Sequence, residues 1–369
     1  MKIVVIGGGV AGLAIGWRLA QTGAQVTILE RAQPGRGATW ASAGMIAATA
    51  EIEQGGTPHA TFARHSAALW PHFAREIEEG SGVEIDYRTD GTIIVARSVD
   101  EAAELQARAK GSAALEFLPR YAAKALEPLF AEDVEGALFD PGEAQVDNRA
   151  LGPALAVAFQ RAGGVLQTNE AVVRVEMENG RATGALTPFG VYRADAFVLA
   201  AGAWSGCIEG IPAEALPPVI PVKGEMIALT PKTDALPKHM IWGNKVYLVP
   251  RHDRLLVGAT VTLEGFDTAI SDAAARWLYG HSCALMPALA RWEMVDHWAG
   301  LRPGSPDDLP LIGPSAIEGL FVASGQFRNG ILLAPAIAEA MREIVLEGRV
   351  SDALAAFDPQ RFPKGSANI

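Results

Sequence analysis

Residues 2–6 form a short, apolar, β-rich run that passes directly into glycine. From Ala11 to Gln21 the apolar positions Leu13, Ile15, Leu19 and Ala20 recur as in a buried helix, and residues 25–29 form a second apolar strand ending at Glu30. This alternation predicts a βαβ unit at the start of the chain. Residues 59–79 read as an amphipathic helix stopped by Gly80 and Gly82, and residues 83–97 alternate like a hairpin turning at Asp90-Gly91. Two helical stretches and a β-like segment near 136–146 follow. Residues 148–162 read as a helix closed by Gly163-Gly164, followed by strands at 165–167 and 171–178, a turn at Asn179-Gly180 and a strand at 194–200. Residues 219–258 are strand-rich, 272–285 helical, and the chain ends with a strand at 320–323, a glycine loop and a helix over 330–346.

Nucleotide-binding signals thus stand at the start, near residue 200 and at the end, with strand-rich material between them. The expected fold class is α/β: a Rossmann-like domain assembled from discontinuous segments (1–82, 147–215 and 299–369), with an inserted, strand-rich α+β substrate domain (83–146 and 216–298).

The turn after the first strand, Gly7-Gly8-Gly9-Val10-Ala11-Gly12, satisfies the dinucleotide fingerprint at Gly7, Gly9 and Gly12. Gly7 permits the tight turn, Gly9 lets backbone approach a pyrophosphate, and Gly12 lets helix pack on strand; the helix N-terminus supplies amide donors and a favourable dipole. Glu30 at the end of the second strand can accept hydrogen bonds from both ribose hydroxyls. The fingerprint serves FAD and NAD equally. Three features favour FAD: the small-residue loop Arg36-Gly37-Ala38-Thr39 and Ser42-Ala43-Gly44-Met45, the run Gly202-Ala203-Trp204-Ser205 after a strand, and residues 325–332 before a helix whose first amides suit a flavin ring gaining negative charge. An NAD(P)-dependent reductase would carry a second glycine fingerprint, and none stands in the sequence.

Composition narrows the partners. The chain has 369 residues, enough for two domains, and its net charge of −11 offers no basic stripe for nucleic acid. The two cysteines, Cys207 and Cys283, fit no metal-ligand spacing and read as reduced thiols. No metal site is expected. The apolar start is broken by glycines and Arg18, so it reads as strand and helix and not as a signal peptide, and no long apolar stretch predicts a membrane span. A cytoplasmic protein is the expectation.

Five further runs carry a resemblance: Pro221-Val222-Lys223-Gly224-Glu225, Tyr247-Leu248-Val249-Pro250-Arg251, Val257-Gly258-Ala259-Thr260, Trp298-Ala299-Gly300-Leu301-Arg302-Pro303-Gly304, and Phe327-Arg328-Asn329-Gly330-Ile331-Leu332-Leu333-Ala334-Pro335. With the fingerprint they resemble the D-amino acid oxidase superfamily of flavoproteins, and within it the bacterial glycine oxidases of thiamine biosynthesis. The resemblance spans essentially the whole chain. It implies tightly but non-covalently held FAD and oxidation of a small amino acid, glycine before sarcosine or small D-amino acids, to an imine. The imine hydrolyses to a 2-oxo acid and ammonia, and oxygen is reduced to hydrogen peroxide. It also implies a homotetramer. Related sarcosine oxidases tether the flavin through a cysteine near the equivalent of the Arg302 segment, and residues 301–311 contain none here.

Arg302 is the first candidate for the substrate carboxylate, because a guanidinium matches a carboxylate fork, and it is placed between a strand at 295–298 and a turn at Pro303-Gly304. By family match Tyr247 adds a phenolic hydrogen bond and Met45 an apolar wall, while Arg328 holds substrate or ring edge. The expected cofactor contacts are Gly7, Gly9, Val10, Ala11, Gly12, Glu30, Arg31, Gly37, Ala38, Thr39, Ser42, Ala43, Gly44, Met45, Val173, Ala201, Gly202, Trp204, Arg302, Arg328, Asn329, Gly330, Ile331 and Leu332. Each has a plainer alternative: a turn arginine at the surface, a core tyrosine, packing for Met45, and for Arg328 an ion pair with Asp307 or Asp308. No general base is expected, since a neutral amine can lose a hydride without one. The competing functions are a dehydrogenase that passes electrons to a carrier and a non-catalytic flavin-binding protein.

Overall fold

The computed structural model describes residues 1–52, 55–232 and 235–362. Its first sheet has six strands in the order Leu311–Pro314, Leu320–Ser324, Ala196–Leu199, Lys2–Ile6 (β1), Gln25–Glu30 (β2) and Val165–Thr168. All neighbours are parallel except Leu311–Pro314, which runs antiparallel to Leu320–Ser324. The helix Val10–Gln21 (α1) joins β1 to β2, as the hydrophobic spacing predicts.

Alternation along the strands creates three layers. Ile3 and Val5 face the helices: α1, Pro58–Ser81, Asn148–Arg161 and Gly330–Glu347 share their core. Val4 and Ile6 face the opposite way, onto Val175, Ala182 and Ala185 of a three-stranded sheet, Arg174–Glu178, Arg181–Thr187 and Gly190–Arg193. The first turn of that sheet is Asn179-Gly180, with φ of 53° and 81°, the double positive φ that a tight hairpin requires.

Pro335 lies inside the last helix, where it cannot donate to the Ile331 carbonyl. The neighbouring helix Pro58–Ser81 engages the next rung of the ladder. Ser66 Oγ and Trp70 Nε1 donate to the Leu332 carbonyl at 2.7 and 3.0 Å, and the Ala336 N–H turns to Ser66 Oγ at 3.3 Å.

The second sheet has eight strands in the order Glu293–Gly304, Ile220–Thr230, Leu255–Gly258, Val246–Pro250, Met240–Gly243, Thr92–Ala96, Gly136–Asp140 and Glu116–Pro119. Ile227, Leu248 and Val257 on one face pack with Leu278 and Leu285 of the helix Asp272–Leu285. Met226, Tyr247 and Val249 on the other face pack with Ala41 and Ala43. The period-two pattern therefore turns Tyr247 toward the loop that follows β2.

Two expectations are corrected. Residues 83–97 do not form a hairpin: Thr92–Ala96 pairs antiparallel with Gly136–Asp140 and parallel with Met240–Gly243. A two-residue turn at Asp90-Gly91 needs positive φ at both residues, and of the two only Gly91 has it, at 83°. Arg302 does not lie between a strand and a turn but inside the unbroken strand Glu293–Gly304. Pro303 is tolerated there because this is the edge strand, where a missing N–H costs no ladder bond. That strand also crosses the expected division at 298/299.

Candidate functional site

The two sheets enclose a cavity of about 470 Å³, within the range of small-molecule sites. One end lies against the glycine turn. A Cβ at Gly12 would stand 2.0 Å from the Gly7 carbonyl oxygen, so helix and strand approach only because the residue is glycine. At Gly9, by contrast, a Cβ would meet only Thr39 Oγ1, at 3.7 Å. The turn is thus not filled by protein at the point where the fingerprint needs backbone exposed.

The start of α1 carries no acidic residue in its first turn. Its cap comes from a distance: Thr39 Oγ1 accepts the Val10 N–H at 2.9 Å. The loop bearing Thr39 is held by Asn148, whose amide donates to the carbonyls of Thr39 and Trp40 at 3.0 and 2.8 Å. Glu30 accepts from the amides of Gly8 at 2.7 Å and Ala32 at 3.0 Å, which fixes its carboxylate at the cavity edge. Arg31 places its guanidinium 3.4 Å over the Trp204 ring, which stacks on Phe266 at 5.6 Å. Burial lowers the Arg31 pKa, and the adjacent Glu30 charge opposes the shift.

At the other end the cavity wall includes Gly44, Met45, Met226, Tyr247, Arg302 and Arg328. Arg302 Nη1 donates to the carbonyls of Thr260 at 3.1 Å and Lys223 at 3.3 Å. Its guanidinium lies over Gly224, where a Cβ would come within 2.3–2.4 Å, and the Tyr247 ring covers Gly258 in the same way. Tyr247 OH points to Met226 Sδ at 3.7 Å. Arg328 sits 5.4 Å over the Trp242 ring, and Asp307, one of the two acids offered as its plainer partner, pairs with Arg361 at 2.7 Å.

Of the expected contacts, Gly7, Gly9, Val10, Ala11, Glu30, Arg31, Gly37, Ala38, Thr39, Ser42, Ala43, Gly44 and Met45 line this one cavity, as do Val173, Ala201, Gly202, Trp204, Tyr247, Arg302, Arg328, Gly330 and Ile331. Gly12, Asn329 and Leu332 do not. Gly12 is used in helix packing, Asn329 is buried beside the wall, and the Leu332 carbonyl is taken by Ser66 and Trp70. Val173 has both backbone groups engaged, its N–H by the Leu186 carbonyl and its carbonyl by the Glu209 N–H.

Several residues went unassigned by sequence reasoning. Gln326, buried and lining the cavity, has an amide nitrogen with no hydrogen-bond partner among the described residues. Gly224 and Gly258 stood in quoted motifs, but nothing local showed which side chains they accommodate. Asn148, Thr260 and Arg251 act through contacts distant in sequence. Among the described residues no helix is long and apolar enough to cross a membrane, and no group of His, Cys, Asp or Glu is placed to hold a metal ion.

The geometry fits FAD: glycine-cleared backbone at a helix N-terminus, an oriented Glu30, a long cavity and, just before the last helix, a Gln326 amide nitrogen with no partner among the described residues. Comparison with known proteins agrees. The family described as DAO, FAD dependent oxidoreductase, matches residues 2–344. The chain is 34% identical to a glycine oxidase from Pseudomonas aeruginosa over 93% of its own length and 94% of that protein. It is 36% identical to a bifunctional ThiO/ThiG protein from Synechocystis over 98% of its length, yet spans only 54% of that longer relative. The crystal structure of glycine oxidase from Geobacillus kaustophilus superposes with a TM-score of 0.92 at 33% identity, covering 98% of this chain and 99% of that one.

Proposed function

The chain belongs to the FAD-dependent oxidoreductase family, with glycine oxidases among its relatives, and from that premise we propose that it oxidises glycine, with sarcosine and small D-amino acids as weaker substrates. The observation that carries this reading is the meeting of Arg302 and Tyr247 with the dinucleotide cradle in one cavity.

Gly7 to Ala11 and the α1 N-terminus would receive the pyrophosphate, Glu30 the ribose hydroxyls, residues 37–45 the flavin's flank, and Gly330 and Ile331 its pyrimidine edge, all without covalent attachment. FAD, when bound, supplies the two-electron acceptor for the Cα–N bond of the substrate and passes the electrons on to oxygen, giving hydrogen peroxide. Arg302 holds the carboxylate as a bidentate fork, a pairing stronger than a neutral hydrogen bond. Its bonds to the Thr260 and Lys223 carbonyls keep the fork oriented. Tyr247 donates its hydroxyl to the same carboxylate, exchanging a weak thioether acceptor for a charged one. Arg328, steadied over Trp242, borders the same cavity, and Met45 closes the wall against water. The substrate amine enters neutral and needs no protein base; the imine formed hydrolyses to a 2-oxo acid and ammonia. The division into a cofactor part (1–82, 147–215 and 299–369) and a substrate part (83–146 and 216–298), and assembly as a homotetramer, belong to the same proposal.

The test is anaerobic addition of glycine, sarcosine and D-alanine to the purified yellow protein. Bleaching fastest with glycine, and peroxide on admitting air, is the expected result. A flavin that stays oxidised with all three refutes the substrate class; bleaching without peroxide points to a dehydrogenase.

A further inference from the structure

The motif Tyr247-Leu248-Val249-Pro250-Arg251 ends on a side chain that the proposed reaction does not use. Arg251 is only 8% exposed and takes no part in the cavity wall. Its Nη2 donates to the carbonyls of Ala43 at 2.5 Å and Val146 at 2.8 Å; its Nη1 donates to the Gln145 side-chain oxygen and to the Pro250 carbonyl at 3.1 Å. Every one of these acceptors is neutral. Holding the charge away from water with only dipoles to receive it pulls the pKa down to about 10, against the opposing influence of Asp147 and Asp86 and with the help of Arg88 and Arg149. A desolvated cation is costly to keep, and no neutral side chain presents so many donors in one plane.

The fork joins three segments. Ala43 leads into Gly44 and Met45, one wall of the cavity. The strand Val246–Pro250, which carries Tyr247, ends at the residue before Arg251. Between them Gln145 pairs with Met45, and the Val146 N–H donates to the Gly44 carbonyl at 2.9 Å. The fit leaves no slack: with Gly44 at φ 73°, a Cβ would lie 2.0 Å from the Val146 carbonyl oxygen and 2.7 Å from Arg251 Nη2.

We infer that Arg251 is a positioning residue, which sets the separation between the Met45 wall and the Tyr247 strand and thereby where a bound amino acid presents its Cα. This rests on the amino-acid-oxidising reading of the cavity. Arg251→Lys can reach one or two of the four acceptors, and a displacement of about 1 Å in a reacting geometry costs on the order of 100-fold in rate.

The experiment uses FAD-loaded protein and two variants, Arg251→Lys and the milder Gln145→Met, which removes a single acceptor. Three quantities are read: FAD content, the Kd of glycolate (the hydroxyl analogue of glycine) from its perturbation of the flavin absorption band, and the anaerobic rate of flavin reduction by saturating glycine. The expected result for FAD-loaded Arg251→Lys is a reduction rate lower by roughly 10- to 100-fold and a weakened glycolate Kd, with Gln145→Met showing a smaller loss of both. Wild-type rate and Kd in the FAD-loaded fraction of either variant, even with reduced stability or FAD content, overturn the inference and leave Arg251 a purely structural residue. If Arg251→Lys does not fold, Gln145→Met decides alone. A wild-type protein that responds to no small amino acid and binds no glycolate sinks the functional reading and this inference together; a responsive wild type with indifferent variants sinks the inference only.

Discussion

Gly224→Ala moves Arg302 without removing it. The added methyl would stand 2.3 Å from Nη1 and 2.4 Å from Cζ and Nη2 of Arg302, where ordinary contact begins near 3.4 Å. The guanidinium must therefore retreat by about 1 Å. It is the end of a long side chain, so it can do so without moving the backbone of either strand, and the fold and FAD binding should survive. Retreat stretches the bonds to the Thr260 and Lys223 carbonyls, already 3.1 and 3.3 Å, and misplaces the carboxylate fork. A shift of that size costs on the order of 100-fold in kcat/KM, about 3 kcal/mol of transition-state stabilisation. Steady-state kinetics with glycine should show the loss in both kcat and KM, because the displaced fork weakens a contact made in the ground state and also misplaces the Cα that reacts. Because the effect is transmitted through Arg302, Gly224→Ala should add nothing once Arg302→Met is present. An unchanged KM, or an equal loss in the Arg302→Met background, refutes the assignment of Arg302 to the carboxylate.

Two other predictions follow from the geometry. Gly9→Ala should fold normally and lose FAD affinity, since its Cβ meets only Thr39 Oγ1 at 3.7 Å, whereas Gly12→Ala should fail to fold, with its Cβ 2.0 Å from a backbone carbonyl; thermal melts of apo-protein and FAD titration separate the two, and equal behaviour of the pair contradicts the cradle. Glu143, buried and accepting the amides of Thr49 and Ala50, has its pKa raised to about 7, mainly by burial. A raised acid favours the folded state in its protonated form, so its contribution is complete below about pH 4.5 and is lost as pH rises through about 7, a swing on the order of 3 kcal/mol. Glu143→Gln should flatten the dependence of Tm on pH between 5 and 8 and melt higher than wild type at pH 8; superimposable pH profiles would show that the carboxyl does not titrate there.

Much of the fold was legible because its signals are local. The βαβ opening, the helices near 59–79, 148–162, 272–285 and 330–346, and the Asn179-Gly180 turn are each specified by spacing or by a backbone conformation within a few residues. The end of the cavity that lies against the glycine turn was legible for the same reason: glycines, helix start and Glu30 occupy one short stretch. Strand pairing was not local. The alternation in residues 83–97 is real, yet Thr92–Ala96 pairs with Gly136–Asp140 and Met240–Gly243, and a two-residue period says nothing about which strand lies alongside.

The sequence by itself determined the α/β class and the glycine turn and, together with family resemblance, pointed to half of the residues that line the cavity. Only the tertiary structure decided how that wall is held. Arg251 reaches Ala43 across two hundred positions of chain, Asn148 anchors the loop whose Thr39 caps α1, and Gly224 and Gly258 are empty so that Arg302 and Tyr247 can lie over them. The physical reason is that each is a relation between atoms brought together by packing. Hydrogen-bond donors and steric clearances carry no signature until the partner strand, with its register, has been set beside them.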